Sequence, residues 1–374
     1  MKILVIPTTD WIRHPVPNRL NFIFDALAEE HEVYVLHFEL SRFRDNQPRH
    51  TSCTLVPAGT SPAEDPSRYY LTSAFSHLRK IREVVKDEGI DVILSANILP
   101  SFMANFAGVP IVFDYLDHLE ESASIYYPGT LFGRMVKLGV SLMTRQNLLR
   151  ARTVITVTEE LKVYLQGIGV SRVEVIPNGV DTSLLQPMPQ EEARRSLGLE
   201  GPVLGYVGSL EHWVDLETVV TALPRLKGVN LLVIGPGLFT DYGDKIKALA
   251  RDQGVDSRIR FTGAVPYSEL GPYISAMDIG LNPLKMMKKN EYAAGGKVFN
   301  YLSCGRPVLS SRMVSLERLL GDQIYYYDDV EGFVHQVGQI LQSGKDPAVY
   351  RELALKYDWR ALARVYEGVL QGAL

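Results

Sequence analysis

The sequence has few of the residues that build metal centres or disulfide frameworks. Its two cysteines, Cys53 and Cys304, lie far apart in the chain, which favours a reducing, cytoplasmic compartment over a secreted one. No Asp-x-Asp pair occurs, and no cluster of histidines and cysteines has the spacing of metal ligands. We therefore expect no metal site.

Long hydrophobic runs and a strong positive charge are also absent. The apolar run at the N-terminus is too short for a secretory signal, and no stretch approaches the roughly 18 residues that span a bilayer. The net charge of −4 argues against a dedicated nucleic-acid binder, which would present a basic surface. With 374 residues, 46% of them apolar and 22% charged, the chain fits two globular domains.

Glycine is missing where a dinucleotide-binding fold needs it. The predicted first strand, Ile3 to Pro7, continues into the polar run T-T-D-W, and no glycine occurs between Met1 and Phe24. A nicotinamide-binding turn would have the pattern G-x-G-x-x-G there, because its glycines let the pyrophosphate approach the backbone. The sequence therefore excludes a nicotinamide site at this turn.

Short apolar runs of strand type alternate with amphipathic segments of helix type, at a spacing typical of a parallel α/β sheet. The predicted strands of the first half are Ile3–Pro7, Glu32–Phe38, Asp91–Ser95, Pro110–Asp114 and Thr153–Thr158. The predicted helices there include Arg19–Glu30 and Ser73–Glu88. Residues 41 to 72 are polar and rich in Arg, Pro and Ser, and they are predicted to be irregular.

The most informative stretch begins with a predicted strand, Asp278 to Pro283. A lysine-rich loop follows, then the pair Gly295 and Gly296, then a helix predicted over Lys297 to Cys304. The first turn of a helix has unpaired N–H groups, and glycine lets a phosphate approach the backbone. The lysine adds a full positive charge. The stretch thus predicts an anion site, and the alternative is an ordinary βαβ unit with a solvated lysine.

Titratable residues follow the predicted strand Pro110–Asp114 in the segment Y-L-D-H-L-E-E. The carboxyl ends of parallel strands are where open α/β sheets bind ligands. Asp117 and His118 are therefore candidates for catalysis. We interpret Glu120 and Glu121 as solvated residues in the first turn of a helix.

A basic helix is predicted within residues 130–152. No acidic residue occurs between Ser122 and Thr158. The predicted apolar stripe consists of Leu131, Met135, Leu138, Leu142, Leu148 and Leu149. The cations of this region are Arg134, Lys137, Arg145, Arg150 and Arg152. Such a helix either lies on an anionic membrane surface or packs on its own sheet with its arginines in water.

Several motifs together resemble the retaining glycosyltransferases of the glycogen-synthase-like type, family four. The donor segment of that family, K-x-F-E-Y-x-x-x-G-x-P-V-V, stands here as K-V-F-N-Y-L-S-C-G-R-P-V-L. The run I-P-N-G-V-D is similar to the family's hinge between domains, and F-T-G-A-V-P to its nucleobase turn. The segment A-L-K-Y-D-W-R-A-L-A-R-V-Y resembles the last helix of the family.

The resemblance implies an α/β fold of two Rossmann-like domains with parallel sheets that face each other across a cleft, the GT-B architecture. It implies an acceptor-side domain in residues 1–180, a nucleotide-sugar-binding domain in residues 181–356 and a helix in residues 357–374 that packs back on the first domain. It also implies transfer of a sugar from a UDP- or GDP-sugar with retention of configuration, without a metal or any other cofactor.

Carried over residue by residue, the resemblance assigns the donor to the second domain. The expected donor-binding residues are Gly208, Ser209, Val265, Gly295, Gly296, Lys297 and Asn300. The expected catalytic residues are Asp117, His118 and Glu291, the last of which stands one residue out of the family's register.

The sequence departs from the family at the diphosphate and the ribose. Family members carry an arginine and, five residues later, a lysine on the diphosphate, and these positions are Ser209 and Val214 here. The glutamate that holds the ribose is replaced by Asn300. The segment around Val214 instead resembles a subgroup with a W-x-D signature, in which Trp213 and Asp215 are expected to cap the entry of a helix. The candidates to replace the lost charge are Lys285, Lys288, Lys289 and Lys297.

Two other functions stay open at this point. A nucleotide-sugar 2-epimerase of the same fold would convert the donor without any acceptor. A non-catalytic binding protein derived from a transferase would explain the missing cations. The acceptor, a glycan or a lipid-linked sugar, is expected on variable loops at Trp11–Arg19 and 41–72. The basic helix suggests a place at the inner face of the membrane.

Overall fold

The structure is a computed structural model, and it divides the chain into two compact units. It describes residues 1–61, 66–116, 130–237, 240–287, 290, 292, 295–344 and 346–374, without the side chains of 66–68 and 132. The first unit consists of Met1–Pro177 and Arg360–Leu374, and the second of Asn178–Trp359. Each unit contains one parallel sheet, so the predicted α/β fold with two such sheets is confirmed.

The first unit is built on a seven-stranded sheet. Strands β1 to β7 are Lys2–Ile6, Glu32–Leu40, Thr54–Ser61, Val92–Ser95, Ile111–Asp114, Thr153–Thr156 and Val173–Val175. Helices α1 to α6 are Arg19–Leu27, Pro66–Thr72, Ala74–Glu88, Leu99–Ala104, Leu131–Arg150 and Glu159–Gly167. The strand order is β3-β2-β1-β4-β5-β6-β7, and every described pair is parallel. The central strands are apolar and buried along their length, as parallel strands covered on both faces are.

The second unit is built on a six-stranded sheet. Strands β8 to β13 are Val203–Val207, Asn230–Ile234, Ile259–Gly263, Ile279–Asn282, Val308–Ser311 and Tyr325–Tyr327. Helices α7 to α14 are Gln190–Leu197, Leu216–Ala222, Tyr242–Asp252, Leu270–Ser275, Lys297–Ser303, Val314–Leu320, Val330–Ser343 and Pro347–Leu355. The strand order is β10-β9-β8-β11-β12-β13, again parallel throughout the described pairs.

The last helix, α15 (Trp359–Gln371), packs against the first unit from residue 360 onward. The Tyr366 hydroxyl donates to Asp114 Oδ2 at 3.1 Å, and the Arg19 guanidinium lies 5.3 Å from the Tyr366 ring centroid. On the surface, Arg364 forms an ion pair with Glu30. Burial of Asp114 raises its pKa, although the positive charge of Arg19 opposes that rise. These contacts hold the C-terminal segment on the sheet of the first unit.

The prediction that residues 41 to 72 are irregular is wrong. Thr54–Ser61 forms β3, which pairs with β2 in parallel at the edge of the sheet, and Pro66–Thr72 forms α2. An edge strand has one solvated side and tolerates Pro57 and Gly59, so its sequence is less apolar than that of a central strand. This polarity explains why β3 resembles a loop in the sequence.

Helix α5 exposes most of its apolar stripe. Leu131, Met135, Leu138, Leu142 and Leu149 are exposed by 76, 64, 62, 59 and 44%, whereas Leu148 is buried. An ordinary amphipathic helix packs its apolar stripe against the core. The stripe of α5 does not pack in this way on the described part of the sheet. None of the described helices is both long and apolar enough to cross a membrane.

Candidate functional site

The strand order of the second unit places a crevice between β8 and β11. The chain leaves β8 toward β9 on one side and returns through β11 on the other, so the connections after these two strands diverge. Such a switch point, at the carboxyl ends of the strands, is where open parallel sheets bind ligands. Gly208 follows β8 directly, and α11 begins after the loop that follows β11. Gly208 and Lys297, two of the expected donor residues, thus lie at the kind of crevice in which open parallel sheets bind ligands.

Two glycines shape the wall of this crevice. Gly208 has φ +149° and donates its N–H to Ile234 O at 2.9 Å. Gly235 has φ +126°, and a Cβ there would stand 2.1 Å from Gly208 O. Positive φ and this close approach both require glycine. The two turns after β8 and β9 therefore pack backbone against backbone, and no side chain fills the edge of the crevice at these positions.

A buried tyrosine from α11 fixes the crevice floor. Strands β8 and β11 pair only at Leu204 and Gly205, and beyond these residues the Tyr301 hydroxyl accepts from Val207 N at 2.8 Å and donates to Leu281 O at 3.1 Å. These bonds satisfy two backbone groups that the separating strands leave without a ladder partner. Tyr301 thereby ties α11 to both strands.

Lys297, the first residue of α11, carries the positive charge of the site. Its ammonium lies 4.6 Å from the Tyr206 ring centroid and 3.3 Å from the position that a Cβ on Gly208 would take. Among the residues that the structure describes, no carboxylate forms an ion pair with it. Burial removes the ammonium from water and lowers the pKa of Lys297 from 10.5 to about 8. A half-buried cation with no counter-ion among the described residues favours the binding of an anion at that place.

Tyr206, whose ring faces the Lys297 ammonium, also holds the turn that follows β8. Tyr206 is buried, and its hydroxyl donates to Ser209 O at 2.7 Å. The same ring therefore supports the Lys297 ammonium on its face and the Gly208–Ser209 turn at its edge. Burial raises the pKa of Tyr206, so its hydroxyl stays protonated and keeps donating.

The glycine pair before α11 stands where the sequence predicts it. Gly296 is the N-cap residue of α11. A Cβ on Gly295 would stand 2.7 Å from Asn282 Oδ1, a buried oxygen that has no hydrogen-bond partner in the described part of the structure. The Asn282 amide nitrogen donates to Ser310 Oγ at 2.9 Å. Gly295 therefore lets the loop approach the carboxyl ends of β11 and β12 closely.

The remaining expected donor residues lie one turn further along α11 and after β10. Asn300 accepts a hydrogen bond from the Tyr267 hydroxyl at 3.3 Å. Burial raises the pKa of Tyr267, so that hydroxyl is also a permanent donor. Val265, two residues earlier in the same turn, is half-buried against the core. The turn after β10 is thus fixed to the helix that carries Lys297.

One departure from the family pattern has a structural explanation, and the expected helix cap beside it is observed. Val214, where the family has a cation, is buried, and its backbone bridges to Leu284. Asp215 caps α8 by accepting from Thr218 N at 3.3 Å. A lysine at 214 would enter the core of this unit. Ser209 is half-exposed beside Gly208.

One of the lysines expected to replace the lost charge does not do so. Lys285 Nζ lies 2.6 Å from Glu217 Oε1, so a carboxylate already compensates its charge. The hypothesis that Lys285 adds free positive charge is therefore wrong. Lys288 and Lys289, like the predicted catalytic residues Asp117, His118 and Glu291, lie outside the described residues. The described residues contain no group of three or more metal-ligating side chains.

Sequence reasoning missed the tyrosines that build this site. Tyr206 and Tyr301 stand at positions that pattern alone assigns to the core, and Tyr267 stands in the turn after β10. Their hydroxyl groups form the hydrogen bonds that hold these elements together. A tyrosine on an otherwise aliphatic face of α11 is the signal that was available, because a buried hydroxyl needs a partner. Each of these hydroxyl groups has one.

Fold and site together define a protein with two Rossmann-like units, of which the second carries a lysine, Lys297, beside the glycine turn at its switch point. Two family models match the chain, glycosyltransferase family 4 over residues 23–184 and glycosyl transferases group 1 over residues 201–343. The chain therefore belongs to these glycosyltransferases.

Individual relatives are distant. A Bacillus subtilis protein assigned as the teichuronic acid biosynthesis glycosyltransferase TuaH is 27% identical over 205 residues, which are 52% of this chain and 50% of the relative. The chain spans about half the length of the curated relatives it matches.

Solved structures match over the whole chain. Sucrose-phosphate synthase from Thermosynechococcus elongatus has a TM-score of 0.78 at 18% identity and covers 100% of this chain and 99% of its own. HepE from Anabaena, in complex with UDP-glucose, has a TM-score of 0.75 at 15% identity and covers 100% of both chains. At these identities the likeness establishes the GT-B fold.

Proposed function

We propose that the chain transfers a sugar from a nucleoside-diphosphate sugar to a glycan or lipid-linked acceptor, with retention of configuration and without a metal. The observation that carries this proposal is the Lys297 ammonium. It is half-buried at the switch point, lies beside Gly208 and has no carboxylate partner among the described residues. A diphosphate is the ligand that would compensate this charge, and family membership makes a nucleotide-sugar its source.

The leaving group determines what the site must do. When the glycosidic bond to the nucleotide breaks, negative charge grows on the diphosphate, and a preorganised cation stabilises it. Lys297 supplies a full charge, and the turn of Gly208 and Ser209 supplies backbone groups without an obstructing side chain. Because this charge comes from the protein, no metal has to bridge the phosphates.

The nucleoside is expected one turn further along α11 than Lys297. Asn300 and Tyr267 form a polar pair that suits the ribose hydroxyls, and Val265 offers an apolar contact for the base. Asp117, His118 and Glu291 remain the expected catalytic residues around the sugar. UDP is the first nucleotide to test, since HepE from Anabaena was solved with UDP-glucose, and GDP is the second.

The test is the release of nucleoside diphosphate from a panel of UDP- and GDP-sugars, with and without EDTA. We expect slow hydrolysis or transfer from one donor, unchanged by EDTA, with the product sugar in the anomeric configuration of the donor by NMR. Lys297→Met should abolish release, and Lys227→Ala, an exposed lysine of the same unit, should not. Release that requires a metal, or inversion of configuration, would contradict the proposal.

The exposed stripe of α5 favours a membrane partner for the acceptor-side unit. Five exposed apolar side chains lie on one helix, and Arg134, Arg145 and Arg150 are exposed on it too. A helix of this kind lies in the interface of an anionic bilayer with its apolar face buried. We infer that the protein acts at the inner face of the membrane, where a lipid-linked acceptor is presented.

Sedimentation with vesicles tests this inference. Vesicles of phosphatidylglycerol and phosphatidylcholine should bind the protein, and vesicles of phosphatidylcholine alone should bind it weakly. Leu138→Gln/Leu142→Gln should reduce binding at least tenfold. The control Val349→Gln/Leu355→Gln changes two exposed residues of α14 and should leave binding intact. Equal loss in both variants, or equal binding to both vesicles, would refute the inference.

A further inference from the structure

A pocket of about 420 Å³ lies between α5 and α6 of the first unit. Its volume is in the range of about 300–1,000 Å³ that is usual for small-molecule sites. Apart from Tyr115, which follows β5, the described lining residues belong to the two helices and to the C-cap residue Ile168. The pocket is thus separate from the donor crevice, which belongs to the second unit.

The wall that α5 contributes is polar. It contains Ser141 and Arg145, which are exposed, and Thr144, which is 3% exposed. The Thr144 hydroxyl has no hydrogen-bond partner in the described part of the structure, although buried hydroxyl groups normally have one. This wall therefore keeps hydrogen-bonding capacity that the protein itself does not use.

Arg145 gives the same wall a positive charge. Among the residues that the structure describes, no carboxylate forms an ion pair with it. Helix α5 contains no acidic residue. The carboxylates of α6, Glu159 and Glu160, stand in its first turn, ahead of Tyr164, the first residue of that helix to line the pocket, and Glu160 already has an interaction partner. The pocket therefore favours a negatively charged ligand.

Exposed apolar side chains border the pocket on both helices. Arg145 stands three residues after Leu142 and four residues before Leu149, so it lies beside these two members of the exposed stripe. On α6, Val163 is 62% exposed and precedes the lining residue Gly167 by four residues. The pocket therefore lies between two exposed apolar edges, one on each helix.

We propose that this pocket binds the head group of an anionic phospholipid, with the phosphate at Arg145 and the acyl chains along the exposed stripe of α5. This inference rests on the membrane contact of α5 proposed above. When the stripe is buried in the bilayer interface, a pocket beside it faces the head groups. A guanidinium donates two parallel hydrogen bonds to a phosphate, and the Ser141 hydroxyl adds a further donor.

The apolar edges favour a lipid over a free phosphate ester. A free ester would use Arg145 and the hydroxyl groups but would leave Leu142, Leu149 and Val163 in water. A lipid covers both kinds of surface, because its chains continue from the phosphate onto apolar side chains.

The experiment measures the binding of single lipid molecules, so that insertion into a bilayer does not contribute. Dihexanoylphosphatidylglycerol is titrated onto the full chain below its micelle-forming concentration, and ligand-observed NMR reports the affinity. One comparison ligand is dihexanoylphosphatidylcholine, which has the same chains and a compensated charge. The other is glycerophosphoglycerol, which has the same head group and no chains. We expect the anionic lipid to bind at least about tenfold more tightly than either.

Two variants localise the binding, and each has a matched control. Arg145→Gln removes the charge of the pocket, whereas Arg134→Gln removes the same charge earlier on α5, outside the lining. Gly167→Leu fills the pocket without a clash, because a Cβ on Gly167 would meet no atom within 4 Å. Gly368→Leu makes the same change at an equally open position on α15. Arg145→Gln and Gly167→Leu should each weaken binding of the anionic lipid at least about tenfold, and the controls should not.

Three results would overturn the proposal. Equal affinity for the two lipids would show that the charge is not recognised. Equal affinity for glycerophosphoglycerol and the anionic lipid would make a free phosphodiester the ligand. Anionic-lipid binding that Arg145→Gln and Gly167→Leu leave unchanged would place the lipid elsewhere. The membrane contact of α5 fails separately, since the protein would then sediment with neither kind of vesicle, whereas failure of the pocket alone leaves vesicle binding through the stripe intact.

Discussion

Replacing Lys297 with methionine should stabilise the free protein while it removes nucleotide binding. Burial lowers the pKa of Lys297 from 10.5 to about 8. At about 1.4 kcal/mol per pKa unit, the charged form costs the folded state roughly 3 kcal/mol. The contact with the Tyr206 ring offsets about 1 kcal/mol of this cost. Methionine has a similar length and no charge, so the free energy of unfolding should rise by about 2 kcal/mol.

Thermal unfolding at pH 7 without ligand measures this gain. For a unit the size of the second one, about 2 kcal/mol corresponds to an increase in Tm of about 4–8 °C. The gain should depend on pH in a definite direction. The folded pKa lies below the unfolded one, so the unfolded chain binds the additional proton between about pH 8 and 10.5. The advantage of methionine is therefore full below pH 8 and disappears as the pH approaches 10.5.

A stabilised variant that no longer responds to nucleotide would identify Lys297 as a residue kept for its ligand at the expense of stability. The control Lys227→Ala, at an exposed position, should change Tm by less than about 1 °C. If Lys297→Met is less stable than the wild type at pH 7, the ammonium has a compensating partner in the free protein. The reasoning about an unpaired cation would then be refuted.

Three further outcomes follow from the same geometry. The affinity for nucleoside diphosphate should be constant below pH 8 and fall up to about tenfold per pH unit above it, because the diphosphate binds the protonated Lys297. Titration calorimetry measures this affinity, and Lys297→Arg should show no such fall before pH 10. Gly235→Ala should destabilise the protein by about 2 kcal/mol or more in urea unfolding, since the alanine Cβ would stand 2.1 Å from Gly208 O. As a control, Gly338→Ala in the open middle of α13 should be neutral or stabilising. Tyr301→Phe should cost about 1–3 kcal/mol by leaving Val207 N unpaired, and Tyr273→Phe should cost less than half of that.

The sequence predicts the elements that position the site well, because their signals are local. The helix predicted over Lys297–Cys304 is observed over Lys297–Ser303, and Gly305 ends it with φ +71°. The strand before it, predicted from Asp278, begins at Ile279. Glycine pairs, Arg-Pro breaks and apolar periodicity all act within a few residues. The positions of Gly208 and Lys297 in the fold follow from these elements.

What the sequence could not predict depends on partners distant in the chain. Glu217 compensates Lys285 from 68 residues away, and nothing in the local pattern separates this lysine from Lys297. The Tyr301 bridge depends on how far β8 and β11 separate, which is a property of the sheet. Strand β3 was missed because an edge strand does not need the apolar residues that identify a central one. Long-range pairing, not propensity, decides each of these cases.

Titration calorimetry of UDP, GDP and ADP into the wild type and Lys297→Met tests the central claim most directly. We predict that one of these nucleotides binds the wild type without added metal, and that the affinity falls at least about a hundredfold in Lys297→Met, as expected when a buried charge loses its partner. Binding that is equally tight in the variant would contradict the assignment of the diphosphate to the crevice between β8 and β11. Absence of binding by all three nucleotides would contradict the donor site itself.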